Sequence, residues 1–245
     1  MISEFSKCFD LAAHFSTIEE EIGSWNTQFQ HLGFVRMDNF IPEQLRYLLE
    51  LEVSKCLREV ATRRDIKVSS TDNSPRKYMS CSRDDIFSLS RIMPAFYDDP
   101  ALYQVLERIT HDKVIKVPFE PEEIVINSMQ LPEDEHGWHW DDYRYSLLFI
   151  VRAPREGNGG LIEFVPNTEW DKNNPNIKGY LDKGPIYREY VPQGSFYFIN
   201  GAANLHHVSP LKEADLRIIT CFSYAGADEI DRIVSHESME EIYSL

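Results

Sequence analysis

Positive charge is scarce in this chain: 25 Lys and Arg stand against 40 Asp and Glu, for a formal net charge of −15. Such a balance repels phosphate backbones and anionic lipid headgroups, so neither nucleic acid nor a membrane is expected as a partner. Cysteine is scarce too. The four residues Cys8, Cys56, Cys81 and Cys221 form no Cys-x-x-Cys pair, which argues against a zinc knuckle or disulfide framework and for reduced thiols. No apolar run reaches membrane-spanning length, and Met1 to Asp10 carries acids where a secretory leader needs a basic and then an apolar stretch. A cytoplasmic location is the resulting expectation. Internal repeats, heptads and low-complexity tracts are likewise missing.

What is present suffices for a sizeable core: 42% of the 245 residues are hydrophobic, and one domain over residues 1–245 is expected. Phe5 to Phe29 mixes apolar and acidic positions at near-helical spacing, and Gly33 to Met37 reads as a short strand. Pro42 then opens a helix whose Leu45, Leu48, Leu49, Val53, Cys56, Leu57 and Val60 form one apolar stripe. Asp65 to Asp84 turns polar and is expected as a loop. Asp99-Pro100 supplies the cap and first-turn proline of another helix through Ile109.

From about Val114 the pattern changes to short runs rich in Ile, Val, Phe and Tyr: 123–130, 143–151, 160–165, 186–191, 195–199, 206–209 and 216–224. Seven strands at this spacing predict a mainly β sandwich or jelly roll. The expected division is a helical part at 1–113, a jelly-roll core at 114–227 and an acidic tail at 228–245, with 167–183 inserted as a loop over one rim.

The chemistry gathers around His136 to Ile150. His139-Trp140-Asp141 sets an imidazole and a carboxylate two residues apart, so in extended backbone both leave one face, while Trp138 and Trp140 leave the other and pack beneath the sheet. A second imidazole follows at His206. Two histidines and one carboxylate on one face of an octahedron leave three positions open, the arrangement of non-haem Fe(II) oxygenases. His206 and His207 are neighbours on extended backbone, so only one of them binds; the spacing to Arg217 favours His206, with His207 the alternative. Arg217, eleven positions beyond His206, has a use of its own. A 2-oxoglutarate that chelates iron through its keto and C1 carboxylate oxygens leaves a distal carboxylate, which a planar guanidinium holds through two parallel hydrogen bonds. Tyr143 and Tyr145 are candidates to donate a hydroxyl to that co-substrate or to pack in the core.

His139-x-Asp141, His206 and Arg217, with Gly159-Gly160-Leu161 between them, resemble the Fe(II)/2-oxoglutarate-dependent dioxygenases. The resemblance covers roughly Val114 to Tyr224 and implies a double-stranded β-helix, cupin-like, flanked by N-terminal helices. It also implies Fe(II), 2-oxoglutarate and O2 as cofactor and co-substrates. Ser74-Pro75-Arg76, Glu122 and His136-x-x-His139-x-Asp141-Asp142 are similar to a smaller bacterial group of free amino acid hydroxylases and radical halogenases, typified by lysine-modifying enzymes. Halogenating members have Gly or Ala in place of the metal-binding carboxylate. Here Asp141 fills that position, so the resemblance implies hydroxylation, with desaturation open at the same site.

The same similarity implies that Arg76 and His136 hold a substrate carboxylate while Glu122 and Asp142 receive its ammonium groups. The charges agree, because a buried zwitterion with a cationic tail needs both signs around it. The substrate class implied is a free basic amino acid such as lysine. Alternatives are a peptidyl or carrier-tethered residue, another small metabolite, and, in another class, a jelly-roll protein that binds metal without turnover. A homo-oligomer stays open. The tail after Tyr224 departs from the group's pattern and is read as a lid or a frayed helix.

Overall fold

The computed structural model describes Phe5 and residues 8–243. The remaining N-terminal residues, on which the leader expectation partly rests, and Ser244 and Leu245 at the end of the tail lie outside the described residues.

Helix formation follows the stripes. After α1 (Leu11–Thr17), α2 (Glu19–Leu32) ends at Gly33, whose φ of 62° is the left-handed conformation of a helix stop, and β1 (Phe34–Met37) follows. α3 (Glu43–Val60) buries Leu45, Leu49, Val53 and Cys56. α6 (Pro100–Thr110) is capped by Asp99, whose carboxylate accepts from the Ala101 N–H at 2.9 Å. Two shorter helices, α4 (Arg83–Leu89) and α5 (Ile92–Tyr97), fill the interval.

The expected loop at 65–84 is instead a β-hairpin: β2 (Thr62–Val68) pairs with β3 (Ser74–Cys81), with Asp65 opposite Lys77 and Ile66 opposite Arg76. Together with β1 this gives three strands inside the part expected to be helical. The remaining strands are β4 (Val114–Lys116), β5 (Ile124–Met129), β6 (Glu135–His139), β7 (Tyr145–Arg152), β8 (Ile162–Val165), β9 (Tyr187–Glu189), β10 (Phe196–Asn200), β11 (Leu205–Val208) and β12 (Arg217–Gly226). The insertion at 167–183 carries α7 (Ile177–Lys183), and α8 (Glu237–Tyr243) closes the described chain.

All twelve strands join one curled antiparallel sheet in the order β1-β10-β7-β12-β5-β3-β6-β11-β8-β9, with β2 on β3 and β4 on β12. This is the jelly-roll core that the strand spacing predicts. Period-two alternation gives the curl two different faces. On β12, Ile218, Phe222 and Tyr224 enter the core under the helices, where they meet Leu147, Phe149, Phe196 and Phe198. Arg217, Ile219, Cys221 and Ser223 line a cavity on the other side. The helices therefore seal one face with aromatic packing and leave the inside of the curl to chemistry.

Candidate metal centre and substrate cavity

Strand pairing assembles the site. β6 ends on His139, which lies directly opposite His206 of β11. Past the strand end, the backbone N–H of Asp141 donates to Gly201 O at 3.1 Å and brings its carboxylate back over the two imidazoles. Asp141 Oδ1 lies 3.7 Å from His139 Nε2 and 3.6 Å from His206 Nε2, and one ligand atom from each of the three falls within 4.8 Å of the others. A single ion fits such a gap.

The tautomers are fixed. His139 Nδ1 and His206 Nδ1 each stand 2.8 Å from a backbone carbonyl, of Gly137 and Asn204. A carbonyl only accepts, so each Nδ1 carries the proton and each Nε2 keeps its lone pair for a metal. Burial, with His136, His206 and Arg76 nearby, holds His139 well below the usual imidazole range and keeps it neutral. Ser146 Oγ donates to Asp141 Oδ2 at 2.6 Å, which leaves Oδ1 as the atom offered to an ion.

Gly201 went unnoticed in the sequence, yet a Cβ there would stand 1.9 Å from Asp141 Oδ2, so only glycine admits the carboxylate. An Asn-Gly pair reads merely as a turn signal. His207 points away: its Nε2 meets Glu163 at 2.9 Å and its ring stacks on Trp138 at 3.9 Å. Trp140 packs with Val165, Ile177 and Leu205, as alternation predicts.

Two buried arginines flank the centre. Arg217 donates through Nε to Gly160 O at 2.9 Å, and Tyr197 is the side chain that opposes the downward pull of burial on its pKa. Of the two tyrosines proposed as co-substrate donors, only Tyr143 lines the cavity. Tyr145 donates instead to Asp112 at 2.8 Å, and Tyr143 packs with Val117 and Ala225. Arg76, opposite His136 across β3 and β6, donates to Ser74 Oγ at 2.8 Å and Pro75 O at 3.0 Å, while its Nε finds no partner. Among the described residues neither guanidinium has a carboxylate within 4.0 Å, although Arg76 is 1% and Arg217 5% exposed. A buried cation without a counter-ion is costly, so both positions call for an anionic ligand.

The far end of the cavity is acidic. Glu122 and Asp142 are both buried and meet around His236, whose Nδ1 lies 3.1 Å from Glu122 and 3.8 Å from Asp142. Burial and the neighbouring charges of Asp142 and Asp141 hold Glu122 well above the usual carboxylate range. Lys172 from the insertion reaches Asp142 Oδ1 at 2.5 Å. Between the two ends, Val125, Met129, Leu148, Val208 and Ile219 make the wall apolar.

The tail covers this cavity. Ser238, Met239, Ile242 and Tyr243 of α8 line it, and the helix is pinned to the β2–β3 hairpin by Glu241 with Ser69, Ser238 with Ser70, and Tyr243 with Ser80 at 2.7 Å. Every predicted site residue, His139, Asp141, His206, Arg217, Arg76, Glu122, His136 and Asp142, lines this one cavity.

The family profile described as Halogenase D matches residues 17–244. The chain belongs to the halogenase D family. This family member is also similar in fold to AviO1 from Streptomyces viridochromogenes Tue57 (14% identity, 84% of this chain and 95% of that one, TM-score 0.65). It is similar to the non-haem α-ketoglutarate-dependent epimerase SnoN of nogalamycin biosynthesis (12%, 85% and 84%, 0.63) and to a Trichoplax adhaerens prolyl hydroxylase solved with a peptide of hypoxia-inducible factor (13%, 89% and 94%, 0.62). SnoN has also been solved with Fe3+ and α-ketoglutarate. No curated protein matches in sequence. The halogenase D chain thus has the fold of the Fe(II)/2-oxoglutarate oxygenases, and the donor set His139, Asp141 and His206 fits an iron ion. Among the described residues, no helix is long and apolar enough to cross a membrane.

Proposed function

We propose that this protein is an Fe(II)- and 2-oxoglutarate-dependent oxygenase that hydroxylates an unactivated C–H bond of a free basic amino acid, with lysine the leading candidate. The observation that carries the reading is the pair of buried guanidiniums without a protein counter-ion in the same cavity as a two-histidine, one-carboxylate centre. His139, Asp141 and His206 hold the iron. Arg217, with Gly160 O and Tyr197 fixing its plane, receives the distal carboxylate of 2-oxoglutarate. Iron, when bound, supplies the dioxygen chemistry for which amino-acid side chains have no equivalent.

The side chains do the rest. Arg76 and His136 take the substrate carboxylate at one end, and the acidic end takes the cation, so the apolar stretch between them lies along the wall below the metal ligands. α8 and the insertion exclude water, which strengthens each charged contact. That cover supports a free small molecule over a peptidyl substrate, which needs a groove with an exit. Asp141 supports hydroxylation over halogenation within this family, because its carboxylate occupies the coordination position a halide would need. The chain acts as one catalytic unit.

The test is mass spectrometry of free amino acids after incubation with the protein, ferrous iron, ascorbate, 2-oxoglutarate and air. The expected result is a basic amino acid one oxygen heavier, with equimolar succinate, and loss of both in Asp141→Ala. Turnover of 2-oxoglutarate with no amino acid changed would reject the substrate reading and keep the metal centre. Silence in both, with iron loading verified, would favour the non-catalytic binding protein.

A further inference from the structure

The acidic end of the cavity already has a cation paired with one of its wall carboxylates. Lys172 Nζ lies 2.5 Å from Asp142 Oδ1, donates to Ser235 O, sits 4.4 Å over the Trp170 ring and comes within 3.6 Å of Glu237. Trp170 in turn donates to Ser70 O at 3.1 Å, so the lysine is clamped between the insertion, the tail and the β2–β3 hairpin. It is built in rather than loosely lodged. Burial lowers the pKa of His236, with Asp142 opposing it. Arg232 is balanced by Glu229 at 3.0 Å, and Glu237 is half exposed and screened by water. Besides the metal ligand Asp141, the charged groups gathered at this end are Glu122, Asp142 and Lys172, which carry one net negative charge once Glu122 is ionised.

We propose that Lys172 is a specificity-determining residue: as the counter-ion of Asp142 it leaves Glu122 as the single unmatched carboxylate, so this end of the cavity takes one ammonium group. This rests on the amino acid reading above and changes one of its assignments. Asp142 serves as the partner of Lys172, and the ammonium docks on Glu122. Deleting the Asp142 charge alone strands Lys172 as an unpaired cation behind the site that takes the substrate's cation. Deleting both charges restores the balance.

A charge cycle on the full chain decides this. The variants are Asp142→Asn, Lys172→Met and the double substitution, with lysine and norleucine, which has the same four side-chain carbons without the ammonium, as probes. For lysine, Asp142→Asn is expected to lower kcat/KM by about a hundredfold or more, mostly through KM, since removing one partner of a buried pair leaves the other uncompensated. The double variant is expected to return to within about tenfold of the parent. Norleucine is expected to change by less than about threefold throughout, because it lacks the side-chain ammonium, the only one of lysine's two cations that would be repelled at this end. If the double variant remains as poor as Asp142→Asn, Asp142 touches the ammonium itself and the proposal is wrong.

Thermal unfolding of the same proteins without substrate separates the two readings. Coupling between the substitutions, with Asp142→Asn less stable than the double variant, is expected whether or not lysine is the substrate. Additive effects overturn the assignment of Lys172. A parent protein that ignores every cationic probe would defeat the amino acid reading, while the unfolding cycle would still decide the ion pair.

Discussion

At the scale of single residues, the site is governed by which charges have partners. Arg217 meets no carboxylate among the described residues, so Arg217→Met removes the binding of a charge pair supplied by the ligand. The KM for 2-oxoglutarate is expected to rise by roughly a hundredfold, about 3 kcal/mol, with Arg217→Lys recovering only part because an ammonium lacks the bidentate geometry. Steady-state kinetics in 2-oxoglutarate checks this. Glu122 must be ionised to receive an ammonium, yet burial beside Asp142 and Asp141 raises its pKa. It is therefore protonated at pH values where an ordinary glutamate is charged. kcat/KM for a cationic substrate should fall on acidification from a pH above the usual carboxylate range, and Glu122→Gln should remove that limb of the profile together with most of the activity. The two adjacent histidines also part here. A redox-silent divalent ion should raise the melting temperature of the parent and of His207→Ala, but not of His206→Ala, because His207 is turned to Glu163.

At the scale of elements, α8 and the hairpin under it make the cavity a closed one. Removing residues 237–245 should leave the sheet folded, uncouple 2-oxoglutarate consumption from product, and raise the substrate KM by about tenfold or more, as expected when a lid is lost. Equal product per succinate in the truncated protein would contradict the role given to α8. These elements also mark where the sequence was hard to read. β5, β7, β10 and β12 were legible because one face of each is aromatic or aliphatic and repeats every second residue. The β2–β3 hairpin was not. Its buried alternate positions on β3 are Ser74, Arg76, Tyr78 and Ser80, which face a polar cavity rather than oil, so the period of two carries no hydrophobic signal. β6 was hidden in the same way, since its buried positions are Gly137 and His139. His139, Asp141, His206 and Arg217 were singled out by residue type and spacing and Arg76 by the family resemblance, and all five line one cavity; the Lys172 contact, which needs the insertion folded over the rim, was not legible.

At the scale of the whole molecule, one curled sheet separates a sealed aromatic core from the cavity that carries the chemistry, and β12 belongs to both. Phe222→Ala, on the sealed side, should cost about 3–5 kcal/mol of stability in denaturant titrations. Cys221→Ala, its neighbour on the cavity side, should cost well under half of that and alter substrate kinetics instead. The central proposal is that a halogenase D family chain with Asp141 in place performs oxygen transfer. The most direct test is to run the reaction under isotopically labelled dioxygen in chloride-containing buffer and weigh the product. The expected product is a hydroxylated basic amino acid carrying one labelled oxygen atom and no chlorine. A chlorinated product, or a hydroxyl whose oxygen comes from water, would contradict the proposal.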